Sequence, residues 1–449
     1  MTRTTAIAAG LLLSISLLNA QEVMTLKDCM EYAVNNSAKI KIQQADIDDA
    51  RIARRDAVLR AFTPEISAGT HAYSNFGRSV DPETNTYVST TSFNNGYSIS
   101  GGITLFNGFS AVNNMKITKT ALKMGIRQEE LIKDDLCLAI MQAYYNAVYC
   151  ERLAEILTSR TETARNVLKL AKRQEELGQK GYAEVIEMEA GVADCEFLLI
   201  SARNRYADAI LTLKGLMFWP IEQELSIDTS MAEAETAITL APEYERLQTM
   251  DYAIEHLPKI AIAKWNMDKA KIDLKTAKWK FTPTLSLNAG WSTSYYTYPG
   301  QNGYVPTPFR TQFTNNGGEY IQLSLSFPIF SGLSAFSNLR RKKNACTKAS
   351  IQYEQTVREV EAEVARAIQD RDEASAAFHQ ADRRADVQEE AYHINIKRYE
   401  QGMISAIDFS KASDNWMEAK AGRLEALLNY YIKRSVVSYY NGINYLNQE

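Results

Sequence analysis

The sequence predicts a mainly α-helical chain that also carries four membrane β-strands, arranged as two tandem copies of one unit. Three observations predict it. A short phrase is written twice, as ITLFNGFS at residues 103–110 and FPIFSGLS at residues 327–334; an alternating apolar run precedes each phrase; and a long stretch without proline follows each. Phe106 and Gly108 return as Phe330 and Gly332, 224 positions on, and these four residues mark the strand-to-helix junctions. Phe62-Thr63-Pro64 returns as Phe281-Thr282-Pro283 at 219, Asn94-Asn95-Gly96 as Asn315-Asn316-Gly317 at 221, and Gly178 with Glu184 as Gly402 with Asp408 at 224. Marks that keep nearly one step over half a chain indicate an internal duplication.

Taken from the start, residues 1–20 read as a signal peptide: Arg3 precedes an apolar run at residues 6–18, and Ala20 closes it. Thirteen apolar residues fall short of the roughly 20 that a membrane-spanning helix needs. The first repeat is assigned to residues 21–218, a connector to 219–242 and the second repeat to 243–449. Each copy opens on a helical pattern that stops before Pro64 or Pro283, because proline lacks the N–H a helix interior uses.

The period then changes from near four to two. In copy two, Leu285, Leu287, Ala289 and Trp291 alternate with Ser286, Asn288, Gly290 and Ser292, and Ile321, Leu323, Leu325 and Phe327 alternate with Gln322, Ser324 and Ser326. Copy one repeats the alternation with Ile66, Ala68 and Ala72, then Tyr97, Ile99 and Ile103. Strands of about ten residues with one apolar and one small polar face suit a tilted bilayer crossing, although a soluble sandwich offers the same alternation. The intervening segments, residues 75–95 and 296–318, are rich in Asn, Thr, Gly and Tyr, as outward loops are. Aromatic residues gather at the adjoining strand ends, among them Tyr73, Phe93, Trp291 and Tyr295, where an interfacial belt places them. Four strands are too few for a barrel, so other chains must complete it.

Behind each phrase runs a proline-free stretch, residues 110–178 and 334–402, that as one helix would reach about 100 Å. Val357, Val360, Val364, Ala367, Ala374, Phe378 and Ala385 recur at steps of three and four, which makes a seam for packing along the whole length. Gly178 and Gly402 end these helices, and a shorter helix follows each. Residues 219–242 have weak periodicity and read as a connector outside the main shaft.

Composition excludes several classes. The chain has 449 residues, a formal net charge of -4 and no basic block, which argues against nucleic acid. Its five cysteines form no CxxC pair and its four histidines have no ligand spacing, so neither a disulfide framework nor a metal site is indicated. No nucleophile or phosphate-loop motif occurs, and no catalytic residue or cofactor is expected. The cysteines read as buried structural thiols.

The order helix, two strands, very long helix, shorter helix, written twice, resembles the TolC family of outer-membrane efflux and secretion ducts. The residues that carry the resemblance are LFNGFS and PIFSGLS at the junctions, AVNNSAKI in the first helix, and the tips ELGQKGYAEV and RYEQGMISAIDF. It implies a homotrimer: twelve strands in the outer membrane of a Gram-negative bacterium, four per chain, continued by a long periplasmic α-helical barrel. It implies a periplasmic adaptor (membrane fusion) protein, an inner-membrane transporter of RND, ABC or MFS type, and outer membrane lipid as partners, in an efflux or type I secretion system. It further implies that the duct conducts passively and opens by an iris-like movement of its periplasmic hairpins.

By the same resemblance Leu177, Gly178, Gln179, Gln401, Gly402 and Met403 are the adaptor-contacting tips, and Glu184, Tyr399, Asp408 and Lys411 the periplasmic gate. Glu184 is expected to bond Tyr399 as a closing link, and Asp408 to form a constriction ring that Lys411, one turn along, partly neutralises. An acid in the first turn of a helix is equally an ordinary partner for the helix dipole. A trimeric coiled-coil surface adhesin anchored by a small barrel is the alternative, but it needs its strands gathered at one end of the chain. Nothing in the residues selects the exported substrate, since the thirteen methionines show no ligand-like clustering.

Overall fold

A computed structural model describes residues 23–448 apart from 81–84, 90, 231–244, 300 and 302. The signal peptide expected at residues 1–20 and the second half of the connector, residues 231–242, lie outside the described residues. In chain order the elements are α1 (Leu26–Asn36), α2 (Ala38–Phe62), β1 (Glu65–Asn75), β2 (Arg78–Val80), β3 (Tyr87–Ser89), β4 (Ser92–Phe106), α3 (Ser110–Glu176) and α4 (Tyr182–Met217). Then come α5 (Glu245–His256), α6 (Pro258–Trp279), β5 (Thr284–Thr297), α7 (Phe309–Asn315), β6 (Gly318–Ser326), α8 (Ser334–Glu400) and α9 (Ala406–Tyr440). Both long helices, α3 and α8, are unbroken over 67 residues.

The expected opening helix of each copy is two helices. Ser37 separates α1 from α2, and Leu257 separates α5 from α6 ahead of Pro258. In copy two the proline explains the break, because it disfavours the helical conformation at Leu257 and lacks a donor. Copy one reaches the same break without proline: Asn36 turns its side-chain amide back onto the Tyr32 carbonyl at 2.9 Å, and Ser37 leaves the helical region with ψ 125°.

One compact unit comprises residues 45–127 and 261–355 and holds the sheet. Its strand order is β1-β4-β5-β6, every pair antiparallel. Glu65 lies opposite Gly102 in the first hairpin and Thr284 opposite Ser326 in the second. Because Thr284 stands 219 beyond Glu65 and Ser326 stands 224 beyond Gly102, the two hairpins share one register, and every extra residue of copy two is confined to its loop. This overturns one mark of the repeat. Asn94-Asn95-Gly96 sits inside β4, whereas Asn315 ends α7 and Gly317 precedes β6, so the second occurrence is not the structural counterpart of the first.

Leu285, Leu287, Ile99, Ile103, Leu323 and Ile66 share one face of the sheet; Ser286, Asn288, Ser98, Ser100, Ser324 and Ser67 share the other. The loops are not bare. Residues 75–95 include the β2–β3 hairpin, and α7 packs Phe309 and Phe313 on Tyr97, Tyr295 and Trp291 with ring centroids 5.4–6.0 Å apart. Gln312, buried, exchanges two hydrogen bonds with the Tyr296 backbone, taking over where β6 no longer pairs with β5.

The duplicated phrase has a conformational cause. Gly108 and Phe109 have φ +65° and +60°, and Gly332 and Leu333 have +58° and +63°. Two successive positive φ values, closed by Ser110 N–H donating to the Asn107 carbonyl (3.4 Å) and Ser334 N–H to the Ser331 carbonyl (3.1 Å), make a type I′ turn. Glycine takes its first position without strain. The Asn107 and Ser331 side chains then accept from Ala111 and Ala335 N–H, each at 3.3 Å, so the residue that opens each turn also caps the helix behind it.

The other unit comprises residues 1–44, 128–260 and 356–449. Its main core joins α1, α3, α4 and α9 through Met30, Ile140, Met141, Tyr144, Leu213 and Leu427. The described part of the connector belongs to this core rather than lying outside it. Leu225 and Ile227 are buried, Trp219 packs at a tilt against Tyr32 with ring centroids 4.7 Å apart, and Met24 bridges to Ile227. The buried Lys214 ammonium donates to the Ile221 and Gln223 carbonyls. A polar-looking segment is thus held by backbone groups that a periodicity argument does not weigh. Cys29, Cys137, Cys150 and Cys195 are buried free thiols, and Cys346 is free and half-buried.

Candidate functional site

The candidate site is the pair of helical turns at Gly178 and Gly402, with the helices that flank them. Each turn ends its long helix in the same way. Gly178 (φ +71°) donates to the Glu175 carbonyl and Gln179 to Gln174, both at 2.8 Å; Gly402 (φ +75°) donates to Tyr399 at 3.0 Å and Met403 to Arg398 at 2.8 Å. This is the Schellman motif, which satisfies the last carbonyls through a left-handed glycine. Leu177, Gly178, Gln179, Gln401, Gly402 and Met403, the expected adaptor contacts, are all exposed. An exposed Leu and Met at the two tips present apolar surface to whatever docks there.

Behind the tips a small apolar core joins four helices: Val167 and Ala171 of α3, Val185 and Met188 of α4, Tyr392 and Tyr399 of α8, Ala406 and Phe409 of α9. Tyr399 is fully buried and stacks on Phe409 at 5.2 Å; Tyr392 stacks on Trp416 at 4.7 Å.

The expected bond between Glu184 and Tyr399 is mediated by a third residue. Lys180 Nζ donates to Glu184 Oε1 at 2.6 Å and lies 3.7 Å from the centre of the Tyr399 ring. The Tyr399 hydroxyl is buried without a hydrogen bond of ordinary geometry. The link from α4 to α8 is therefore an ion pair continued as a cation–π contact, with the Lys180 side chain only 8% exposed. Burial opposes the Lys180 charge, but the hydrogen bond to Glu184 and the closeness of Tyr399 outweigh it and hold its pKa above the ordinary 10.5. Burial raises the Tyr399 phenol in turn, so the ring is neutral.

Asp408 is exposed and occupied locally. Its Oδ2 accepts from Ser405 Oγ at 2.8 Å, and its own N–H donates to Ser405 Oγ at 3.2 Å, forming a capping box at the start of α9. Lys411 is exposed one turn on, and the two make no ion pair: the cap holds the Asp408 carboxylate toward the helix start.

A second link between the hairpins was not foreseen. Arg160 of α3, 5% exposed, donates from Nε to Ser413 Oγ at 3.2 Å and from Nη2 to Asp414 Oδ1 of α9. Its Nη1 is buried without a partner. Other ion pairs near the tips stay within one hairpin: Arg165 to Glu196 and Lys172 to Glu189 join α3 to α4, and Arg384 to Glu418 and Lys420 to Glu389 join α8 to α9. The signal for Lys180 and for the partner of Arg160 is a difference between the repeats, whereas Arg160 itself returns as Arg384 and carries no such signal. Lys180 corresponds to Ile404, Tyr399 to Glu175, and Asp414 to Ala190, so these three linking residues sit where the two copies diverge.

Among the described residues no group of three or more His, Cys, Asp or Glu is placed to hold a metal ion, and no helix is long and apolar enough to cross a membrane.

Residues 249–437, most of the second repeat, match the family model of the outer membrane efflux proteins. No curated protein matches the chain in sequence. Among solved structures it is similar to CusC (TM-score 0.76, 15% identity, covering 93% of this chain and 92% of CusC). It is similar also to VceC of Vibrio cholerae (TM-score 0.73, 16% identity, 94% and 96% covered). A third is the open state of the MtrE outer membrane channel of Neisseria gonorrhoeae (TM-score 0.71, 17% identity, 94% and 88% covered).

Proposed function

We propose that this chain, an outer membrane efflux protein of TolC-like fold, is the exit duct of a tripartite efflux or type I secretion system. It conducts passively, as a homotrimer, from a periplasmic adaptor and an inner-membrane transporter to the exterior. The observation that carries the reading is the sheet. It has one apolar and one small polar face, and both of its outer strands, β1 and β6, have an edge without a partner among the described residues. A bilayer tolerates no open edge, so four strands become a membrane structure only when further copies close the ring.

Opening is a shift between two arrangements of the hairpin tips. In the closed one, α4 is tied to α8 by Lys180 between Glu184 and Tyr399, and α3 to α9 by Arg160. If each tip link contributes about 1 kcal/mol, three per trimer hold the open form near one per cent. An adaptor that binds the open tips about a hundredfold better brings the two forms to parity, and about ten-thousand-fold better reverses the ratio. The buried Arg160 contact resists separation more strongly, because breaking it strands a charge in the helix seam. It is the fulcrum, and the residues beyond it move.

Asp408 is assigned to a constriction ring. Three carboxylates about 6 Å apart repel by roughly 3 kcal/mol per pair at an effective dielectric near 20 and by under 1 in water. The ring therefore has to be wet or bound to cations. Conductance of the purified trimer in planar bilayers, together with drug susceptibility of cells lacking the gene, tests the function. A trimer that forms no pore, in cells whose export is unimpaired, would overturn it.

A further inference from the structure

The unit that holds the sheet is basic although the chain is not. Residues 45–127 and 261–355 carry 21 Lys and Arg against 11 Asp and Glu, whereas the whole chain carries 50 against 54. The excess is local. The three helical segments that adjoin the strand ends, residues 110–127, 264–280 and 334–348, hold 15 basic residues and two acids, Asp268 and Asp273. Both acids are already paired, with Lys271 at 3.8 Å and with Lys342 at 2.9 Å. No one segment is a long basic block; the fold adds them together. We infer that these helix ends form a basic collar that binds the phosphates of anionic phospholipid headgroups in the periplasmic leaflet, with Lys116, Lys275, Lys278 and Arg340 as the contacting residues. The collar presupposes the outer-membrane duct proposed above and adds a lipid class and a site to it.

The basic residues face the lipid side of the helices. Phe106 lies opposite Leu285 on the apolar face of the sheet; Phe109 packs on Phe106 with ring centroids 5.4 Å apart, and Trp279 on Phe109 at 5.2 Å. Trp279 therefore belongs to the lipid side. Lys275, Lys271 and Lys264 precede it by 4, 8 and 15 positions and are all exposed. At about 100° per residue those steps fall on one face of α6. On α3 the exposed stripe is Val112, Lys116, Lys119 and Lys123. Asn113, one position after Val112, bonds Thr276, one position after Lys275, at 2.9 Å. Because α3 leaves the sheet and α6 returns to it, one step along each turns the opposite way, so the two stripes face the same side. Arg340 and Lys343 stand 224 positions beyond Lys116 and Lys119 and take the equivalent face of α8, both exposed.

Their depth is that of a headgroup layer. Trp279 and Phe109 are rings of the kind that mark a membrane interface. At 1.5 Å per residue, Lys275 lies about 6 Å and Lys116 and Arg340 about 9 Å from the helix ends that meet the sheet, within reach of headgroups for side chains that extend toward them. Lys119, Lys271 and Lys343, at about 12–14 Å, add attraction that decays over a Debye length of about 8 Å. Lys116, Lys275, Lys278 and Arg340 make no ion pair among the described residues. A merely solvated face carries both signs, as α2 of the same unit does, where Arg51 pairs with Asp48 and Arg55 with Asp56. Nor is the collar a by-product of the duplication: the counterparts of Lys264, Lys271, Lys275 and Lys278, 219 positions back, are Ala45, Ile52, Asp56 and Leu59.

Native mass spectrometry of the purified protein, in micelles holding equal parts of phosphatidylethanolamine and phosphatidylglycerol, tests the collar. The parent should retain phosphatidylglycerol in preference. A variant combining Lys116→Gln, Lys275→Gln, Lys278→Gln and Arg340→Gln should lose about tenfold or more of that preference, since each basic residue near an anionic surface is worth about fivefold in binding. A control combining Lys27→Gln, Lys41→Gln, Lys169→Gln and Lys397→Gln, all exposed in the other unit, makes the same change in net charge and should keep it. Arginine in place of the three collar lysines should keep it too. No preference in the parent, an unchanged lipid ratio in the collar variant, or equal losses in collar variant and control each overturn the proposal. An unchanged lipid ratio accompanied by altered ion selectivity in planar bilayers would place these residues in the duct instead. A parent that fails to enter vesicles of either lipid overturns the outer-membrane reading beneath the collar.

Discussion

The Lys180 ammonium lies 3.7 Å from the centre of the Tyr399 ring while it holds Glu184 at 2.6 Å. A gate built this way differs from one in which a carboxylate bonds a phenol, and the difference is measurable. Tyr399→Phe keeps the ring and removes only a hydroxyl that makes no hydrogen bond of ordinary geometry, although Lys180 and Glu184 both lie close to it. It should change open probability by no more than about twofold, since deleting an unsatisfied hydroxyl is close to neutral. Lys180→Met removes both contacts and should raise it on the order of a hundredfold, from about 1 kcal/mol or more in each of three links. Single-channel recording decides: a large effect of Tyr399→Phe would restore the direct Glu184 bond. Because Lys180 keeps its proton above 10.5, the link is fully present below that pH and is lost only as pH rises past the raised value.

Arg160 and Arg165 stand five positions apart on α3, and both bind a carboxylate, but their surroundings differ. The Arg160 side chain is 6% exposed and that of Arg165 62%. Arg160→Ala should cost about 2–3 kcal/mol, with Asp414 half in water and so only partly stranded. Arg165→Ala should cost less than about 1 kcal/mol. Thermal unfolding followed by circular dichroism checks the contrast, and equal shifts in midpoint would remove Arg160 as the fulcrum.

Much of the architecture was legible because it rests on local chemistry. Gly178 and Gly402 terminate helices through a left-handed backbone that glycine adopts freely, and NGF and SGL write a turn of defined type. Leu285 to Trp291 alternate because one sheet face differs from the other. What escaped depends on contacts between distant segments. Arg160 reads as one more helical arginine until Asp414, 254 positions away, is seen beside it. Ser37 reads as mid-helix until Asn36 takes the Tyr32 carbonyl. The Asn-Asn-Gly match misled because residue identity in a loop carries no register. Lys180 could have been suspected from its place between Gly178 and Gly181, four before Glu184, the spacing of a helical ion pair.

Asp408 serves a cap and is assigned a constriction, and one substitution separates the two. Asp408 is the N3 partner of the Ser405 cap, and an Asn amide oxygen can accept the same hydrogen bonds, so Asp408→Asn should largely keep the start of α9, whereas Asp408→Ala removes the acceptor and should cost about 1 kcal/mol or less. Only the charge is lost in Asp408→Asn. If a ring of three carboxylates lines the pore, divalent block and cation preference should both fall in this variant, and Lys411→Asp should raise them. Reversal potentials under a salt gradient report the preference; unchanged selectivity and block in both variants would leave Asp408 a cap alone.

Asp134 of α3 is buried beside the C-terminal end of α9, where Tyr439 donates to its Oδ2 at 2.9 Å and stacks on Tyr445 at 4.9 Å. Burial is the main cause that lifts its pKa from 3.8 to about 6; the Tyr439 hydrogen bond and Lys133 lower it, and Glu130 and Asp135 raise it. A carboxyl whose folded pKa exceeds its unfolded one binds more protons when folded, so it costs stability above about pH 6 and ceases to do so as pH falls toward 3.8. The shift corresponds to roughly 2–3 kcal/mol at neutral pH. Asp134→Asn keeps an acceptor for Tyr439 and cannot ionise. It should therefore melt at a higher temperature than the parent at pH 7.5, with the gap closing steadily toward pH 4. A gap that stays constant across that range would mean that Asp134 is not the group being titrated.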